Sequence, residues 1–127
     1  MVVLDGDAVL LVRTRNGRWG LPGGYLKVDE HPRDGAVREL AEETGLVVHA
    51  SELVLVCTDH HVAHPAEGGL ISISFAVDRR RASGRPTPGA EILALEFVPM
   101  RDMDAYDVPA VVHRRLGLAL SALWMPG

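Results

Sequence analysis

Several short, mainly apolar runs along the chain are rich in strand-forming residues and predict β-strands. They are residues 8–14, 53–58, 70–77 and 92–98. In the third, Ile71, Ile73 and Phe75 fall on one face, whereas Ser72 and Ser74 fall on the other. We therefore predict that this strand packs its isoleucine face against a core.

Two other segments have the spacing of amphipathic helices. In residues 32–44 one face carries Val37, Leu40, Ala41 and Thr44. Pro32 suits the first turn of this helix, and Gly45 is positioned to end it. A second helix is predicted over residues 107–120, with Asp107 as its N-cap. Its apolar stripe includes Val112, Leu116 and Leu120.

Glycine-rich or polar segments separate these elements and predict loops. They are residues 19–24, the histidine-rich residues 59–69, and residues 79–90, which are rich in Arg, Gly and Pro. Strands interleaved with two helices predict a mixed β-sheet covered by helices, which is an α/β fold. With 127 residues, we expect a single domain over residues 1–127.

Composition narrows the class of protein. Apolar residues make up 47% and charged residues 24%, the balance of a soluble globular protein, and no apolar run approaches the ~18 residues of a membrane span. A net charge of −4 argues against a stable nucleic-acid partner, because such binding neutralises many phosphates. The lone Cys57 lies in an apolar run that predicts a core position. Since no disulfide or secretion leader is indicated, we expect a cytoplasmic protein.

Three glutamates share one face of the first predicted helix. Glu39, Glu42 and Glu43 stand at i, i+3 and i+4. Such a face is usually only the solvated side of a helix. However, three carboxylates within one turn repel one another, and a hard divalent cation beside the glycine loop would relieve that repulsion. The spacing permits a metal site without requiring one.

Residues 24–46 read GYLKVDEHPRDGAVRELAEETGL. This segment resembles the Nudix box, G-x5-E-x7-R-E-U-x-E-E-x-G-U with U aliphatic, and every fixed position is filled. A match of this length is far more specific than a lone glycine motif. The resemblance implies a Nudix-type α/β/α sandwich with a mixed β-sheet, in which only residues 1–4 remain for the first strand.

The same resemblance implies a function and a set of site residues. The function is hydrolysis of the diphosphate linkage of a nucleoside diphosphate joined to another moiety, such as a nucleoside triphosphate or an ADP-ribose-like dinucleotide. Glu39, Glu42 and Glu43 would bind Mg²⁺, for which Mn²⁺ can substitute. Glu39 would also help to activate water, Arg38 would orient Glu39, and Glu30 would brace the loop or reach the metal through water. A catalytically silent nucleotide sensor of the same fold is the alternative, and a homodimer is possible.

Residues outside or at the border of the box complete the candidates. Gly23, Gly24 and Arg13 are assigned to substrate binding. Glu91, at the start of the 92–98 strand, is the candidate fourth carboxylate, as catalytic base or ligand, with Glu67 as its rival. His60, His61 and His64 lack zinc-site spacing, so their loop either flanks the cleft or is solvated. Trp19 and Tyr25 either stack on a base or pack beneath the glycine loop.

Overall fold

The computed structural model describes residues 1–64 and 68–124 of the chain. The strands in this part are β1 (Val2–Asp5), β2 (Ala8–Thr14), β3 (Trp19–Gly20), β4 (Val54–His64), β5 (Gly68–Asp78) and β6 (Ile92–Pro99). The helices are α1 (Pro32–Thr44) and α2 (Ala110–Trp124). Short 3₁₀ turns lie at Ala50–Glu52, Arg79–Arg81 and Met100–Ala105. None of these helices is long and apolar enough to cross a membrane.

The strands form one mixed sheet in the order β3-β2-β1-β5-β4, and β6 also pairs with β2, antiparallel, along residues 8–14. The short β1 lies at its centre, antiparallel to β2 and parallel to β5. Val2 pairs with Ala76 and Leu4 with Val9, and Val2 is completely buried. Four residues are therefore enough for the first strand, because both of its edges and both of its faces are covered.

Strand alternation sends neighbouring side chains to opposite faces of the sheet, so a core forms on each side. On one face Val2, Val9 and Leu11 pack with residues of α2 such as Leu116. On the other face Val3, Leu10, Phe75 and Val77 pack with Leu40 of α1. The predicted α/β/α sandwich with a mixed sheet is confirmed.

Helix α1 has the predicted bounds because both of its ends are fixed locally. The His31 side chain accepts a hydrogen bond from the Arg33 N–H, and Gly45 ends the helix at φ 74°. Helix α2 begins at Ala110 rather than at Asp107. Pro109 lies just before the helix, and its carbonyl oxygen accepts from the Val112 N–H. The prediction of the α2 start was three residues early.

The histidine-rich segment 59–69 was wrongly predicted as a loop. Strand β4 continues through Asp59 to His64, and β5 begins at Gly68, so the two strands form a long hairpin that projects beyond β1. On the α1 side its far part is left open, and Ile71 is 74% exposed, which overturns the predicted isoleucine core face. On the opposite face, α2 lies against Asp59. Glu67 lies outside the described residues.

Two smaller corrections concern residues near these elements. Trp19 and Gly20, predicted as loop, pair with β2 as a short strand. Cys57, predicted as core, is only half-buried because β4 is the edge strand, and its thiol donates to Asp59 Oδ2 at 3.6 Å.

Candidate functional site

Arg38 ties helix α1 to the glycine-rich loop that precedes it. Its Nε and Nη2 donate to the two carboxylate oxygens of Glu30 at 2.8 and 2.9 Å, and Nη2 also donates to the Tyr25 carbonyl at 3.0 Å. The remaining nitrogen, Nη1, reaches Glu39 at 3.0 Å and Glu42 at 3.2 Å. One guanidinium thus fixes the loop and orients two of the three clustered glutamates.

Glu30 is a bracing carboxylate. The side-chain hydrogen bonds from Arg38, followed by the hydrogen bond from the Lys27 N–H, lower the pKa of Glu30 to about 2. Every strong contact of Glu30 is made within the loop and helix. Of the two roles predicted for it, the geometry favours bracing the loop.

Two glycines bring the loop backbone against the acidic face of α1. The carboxylate of Glu39 lies so close to Gly24 that a β-carbon on Gly24 would stand 2.6 Å from its Oε1 atom. The N–H of Gly23 donates to Glu43 Oε1 at 3.3 Å. The loop therefore holds both carboxylates in place, and Gly24 cannot carry a side chain without displacing Glu39.

Glu39 and Glu43 crowd negative charge into a partly buried space. Burial, and then the proximity of Glu39, raise the pKa of Glu43 to about 7, although the Gly23 N–H acts in the opposite direction. A carboxylate pair that retains a proton near neutrality is a suitable place for a divalent cation, which would replace that proton.

The carboxylates of Glu39, Glu42 and Glu43 are the ligand type that suits a hard divalent cation, although the three do not converge on one point. Among residues 1–64 and 68–124, no three His, Cys, Asp or Glu side chains are arranged to hold one ion together. Glu42 is half exposed and turned toward Arg38. Mg²⁺ needs only one or two protein carboxylates, since waters and substrate oxygens complete its shell. Glu39 and Glu43 satisfy that requirement, and Glu42 would join them by a side-chain rotation away from Arg38.

Two clefts lie on either side of the glycine loop and meet at Gly23, Gly24, Tyr25 and Glu39. The first cleft, of about 460 Å³, lies between the loop, α1 and β5. It occupies a gap in the sheet. In the part of the chain that the structure describes, β1 pairs with β5 at Ala76–Asp78, and no strand pairs with residues 70–74 on that side. The second cleft, of about 900 Å³, contains Glu39, Glu42 and Glu43 together with Glu91.

The predicted residue Arg13 lies away from both clefts. Its Nε donates to the Gly17 carbonyl at 3.2 Å, and it follows Leu11 on the α2 face of β2, opposite the acidic face of α1. Arg15 lines the second cleft instead, and its Nη2 donates to the Ala90 carbonyl at 3.2 Å. The register of β2 against β6 shifts between Arg13 and Thr14, so strand alternation does not extend to Arg15.

The remaining candidates, Glu91, Trp19 and Tyr25, differ in whether they line a cleft. Glu91, in the turn directly before β6, lines the second cleft with the three helix glutamates, and its role as a fourth carboxylate stays a prediction. Trp19 packs edge-to-face on Tyr106 at 5.1 Å between ring centroids and against the core on the α2 side, so its observed contacts are with the core rather than beneath the glycine loop. Tyr25 is 80% exposed at the junction of the clefts.

Sequence reasoning missed a charged cluster behind the first cleft. Asp59 of β4 pairs with Arg114 and Arg115 of α2, and Arg115 also lies 3.4 Å from His61 Nε2. Of the two arginines, only Arg115 lines the first cleft. The sequence signal was an adjacent arginine pair in an otherwise apolar helix, and nothing in the sequence links it to Asp59.

Comparison with known proteins matches residues 1–116 to the family model described as the NUDIX domain. The chain is 49% identical over 49 residues to a MutT-like protein of Streptomyces ambofaciens, a match that covers 39% of this chain and 32% of the relative. It is 33% identical over 86 residues to the ADP-ribose pyrophosphatase of Methanocaldococcus jannaschii, covering 61% of this chain and 50% of the relative. These matches span a third to a half of each relative's length.

Solved structures share the whole fold at lower identity. The NUDIX domain of Shewanella oneidensis NrtR, complexed with ADP ribose, superposes with a TM-score of 0.78 at 22% identity, covering 96% of this chain and 84% of that one. The MutT NUDIX hydrolase from Burkholderia pseudomallei superposes with a TM-score of 0.79 at 20% identity, covering 92% of each chain.

Proposed function

Since the chain belongs to the Nudix family, we propose that it hydrolyses the diphosphate linkage of a nucleoside diphosphate joined to another moiety, with Mg²⁺ or Mn²⁺ as cofactor. The observation that carries this proposal is the crowded Glu39–Glu43 pair, held against Gly23 and Gly24 where the two clefts meet. A linkage cut at that junction would leave one product in each cleft. Two relatives are named ADP-ribose pyrophosphatases, one of them putatively, and this supports the substrate class.

The diphosphate would lie along the backbone of Gly23 and Gly24, with the nucleoside in the first cleft and the second moiety beside Arg15. When bound, the cation would neutralise phosphate charge and lower the barrier to attack at phosphorus. Arg38 holds Glu39 in a fixed position, so that Glu39 can accept a proton from the attacking water. Glu42 and Glu43 would complete the cation-binding set.

Glu91 is the proposed fourth carboxylate. It lines the second cleft together with the helix glutamates, and this supports including the loop–strand junction in the proposed site. From there it would act as a second base or as a ligand on the side of the leaving moiety. The rival, Glu67, lies outside the described residues.

The function is tested by incubating the purified protein with Mg²⁺ and a panel of nucleoside triphosphates and dinucleoside diphosphates, with the products resolved by chromatography. We expect turnover of at least one compound, its loss in excess chelator, and its recovery when Mg²⁺ or Mn²⁺ is restored. Full turnover in excess chelator would contradict the metal role. Calorimetric binding of a nucleotide without any turnover would favour the sensor alternative.

A further inference from the structure

Among the described residues, Arg115 is the one cationic side chain that lines the first cleft. The lining mixes apolar groups with polar ones, which include Ser72 and Ser74, and its one carboxylate is Glu39, at the junction with the second cleft. Leu26, Ile71 and Ile73 supply apolar surface. A cleft with apolar walls, a few hydrogen-bonding groups and one cation suits a flat nucleobase, which has apolar faces and polar edges. A phosphate would require several cations or a metal.

Arg115 is held in place from behind. Its Nε donates to Asp59 Oδ2 at 3.0 Å, and Arg114 binds the other oxygen of the same carboxylate. The Asp59 side chain is only 10% exposed. Burial favours the neutral acid, but the hydrogen bonds from Arg115 and Arg114 outweigh it and keep the pKa of Asp59 below its ordinary value. Asp59 therefore stays ionised and fixes the Arg115 guanidinium.

This arrangement determines what Arg115 can offer to a ligand. Asp59 offsets only one of the two positive charges of Arg114 and Arg115, so the pair keeps a net positive charge that favours electronegative acceptors. The donor hydrogens of Arg115 are only partly used, because Nη2 lies 3.4 Å from His61 Nε2 and Nη1 has no acceptor among the described residues. Arg115 therefore presents a fork of donors on a rigid plane, which pairs with two adjacent acceptors on a neutral ring.

We propose that Arg115 determines base specificity and that the first cleft selects a 6-oxopurine, guanine or hypoxanthine, over adenine. The O6 and N7 atoms of a 6-oxopurine are two adjacent acceptors that match an arginine fork. Adenine places an amino donor beside N7, so one N–H of the fork would face another donor. This proposal rests on the proposed function, because it assigns the nucleoside to the first cleft.

The test uses substrate pairs that differ at position 6 of the purine. Inosine triphosphate is compared with ATP, and inosine diphosphate ribose with ADP-ribose, by kcat/KM in Mg²⁺. We expect a preference of roughly tenfold or more for the inosine member of each pair, the discrimination that one bidentate base contact provides. Arg115→Met should reduce this preference to about threefold or less, chiefly through KM, because the contact holds the base equally in the ground and transition states.

Arg114→Met is the matched control, since Arg114 binds the same carboxylate but does not line the cleft. It should retain the base preference. Arg115→Lys keeps a cation beside Asp59 without a planar fork, and it should lose the preference even if Arg115→Met folds poorly. Equal use of both bases by the wild type would overturn the proposal, as would an equal loss of preference in the Arg114 and Arg115 variants.

A binding experiment separates this proposal from the proposed function. The α,β-methylene analogues of inosine diphosphate and ADP resist hydrolysis, and their affinities are measured by calorimetry. In one outcome, the protein binds the inosine analogue more tightly than the adenosine analogue, and loses this difference in Arg115→Met, without turning over any substrate. That outcome would reject the hydrolase activity and retain the base specificity. Turnover without any base preference in rate or affinity would reject the base specificity and retain the hydrolase.

Discussion

Gly24 and Glu39 are in contact across the loop–helix junction, and a β-carbon on Gly24 would lie 2.6 Å from the Cδ atom of Glu39. Gly24→Ala should therefore push the carboxylate out of position while leaving the fold intact. We expect a loss of roughly 100-fold in kcat, the scale associated with misplacing a catalytic group by about 1 Å. A β-carbon on Gly20 would meet nothing within 4 Å, and Gly20 lines neither cleft. Gly20→Ala is therefore the control, and an equal loss in both variants would contradict the steric argument.

The raised pKa of Glu43 predicts a pH-dependent effect of Glu43→Gln on the metal-free protein. Because burial and Glu39 raise the pKa of Glu43 from 4.5 to about 7, ionisation of this group destabilises the fold. The penalty is absent below pH 4.5, grows as the pH rises, and is complete above 7. Glu43→Gln should thus match the wild type in Tm near pH 4.5 and exceed it by a few degrees at pH 8.

The control for this prediction is Glu42→Gln, because Glu42 is more exposed and pairs with Arg38. Glu42→Gln should not raise Tm at pH 8. Thermal melts in excess chelator provide the measurement. A constant Tm difference between Glu43→Gln and the wild type across this pH range would rule out Glu43 as the titrating group.

The Glu30–Arg38 pair predicts the opposite pH dependence. Arg38 and the Lys27 N–H lower the pKa of Glu30 to about 2, so its ionised form stabilises the fold. This contribution is fully present above pH 4.5 and is lost as the pH falls toward 2. Glu30→Gln should be less stable than the wild type at pH 7, and the two should converge in acid. Urea unfolding at several pH values measures the difference, and parallel curves would contradict the prediction.

Glu91→Gln tests the proposed fourth carboxylate. If Glu91 acts on the reacting groups, the variant should lose roughly tenfold or more in kcat with little change in KM. Glu96→Gln is the control, since Glu96 lies in β6, the strand that follows Glu91, but accepts a hydrogen bond from Tyr106. Wild-type kinetics for Glu91→Gln, with a loss of activity in Glu67→Gln, would transfer the role to Glu67.

The bounds of α1 could be predicted because local residues determine both of its ends. Pro32 fits the first turn, and Gly45 adopts a left-handed conformation with its N–H bonded to the Ala41 carbonyl. The motif also located Glu39 and Glu43, because an i, i+4 spacing places two side chains on one helix face whatever the rest of the fold. Homodimer formation stays a prediction.

The residues that the sequence did not reveal depend on tertiary structure. Arg15 enters the second cleft after a register shift in β2, which alternation cannot foresee. Asp59 was assigned to a loop because its neighbours are polar, yet pairing with Ser72 keeps it in a strand. Its contact with Arg115 joins residues far apart in the chain, and only the packing of α2 on the sheet brings them together.

The central position of β1 has a consequence for how the molecule folds. Strand β1 pairs in parallel with β5, and the contact between Val2 and Ala76 closes a long loop of chain. The β4–β5 hairpin and α1, in contrast, require only local contacts. Closing such a loop is entropically costly, so we expect it to occur late and to limit the folding rate. The gap beside β5 that forms the first cleft does not exist until β1 has docked. Hydrogen exchange during refolding should therefore show the β4–β5 hairpin protected before Val2 and Val3, and nucleotide binding should be gained only in the final kinetic phase.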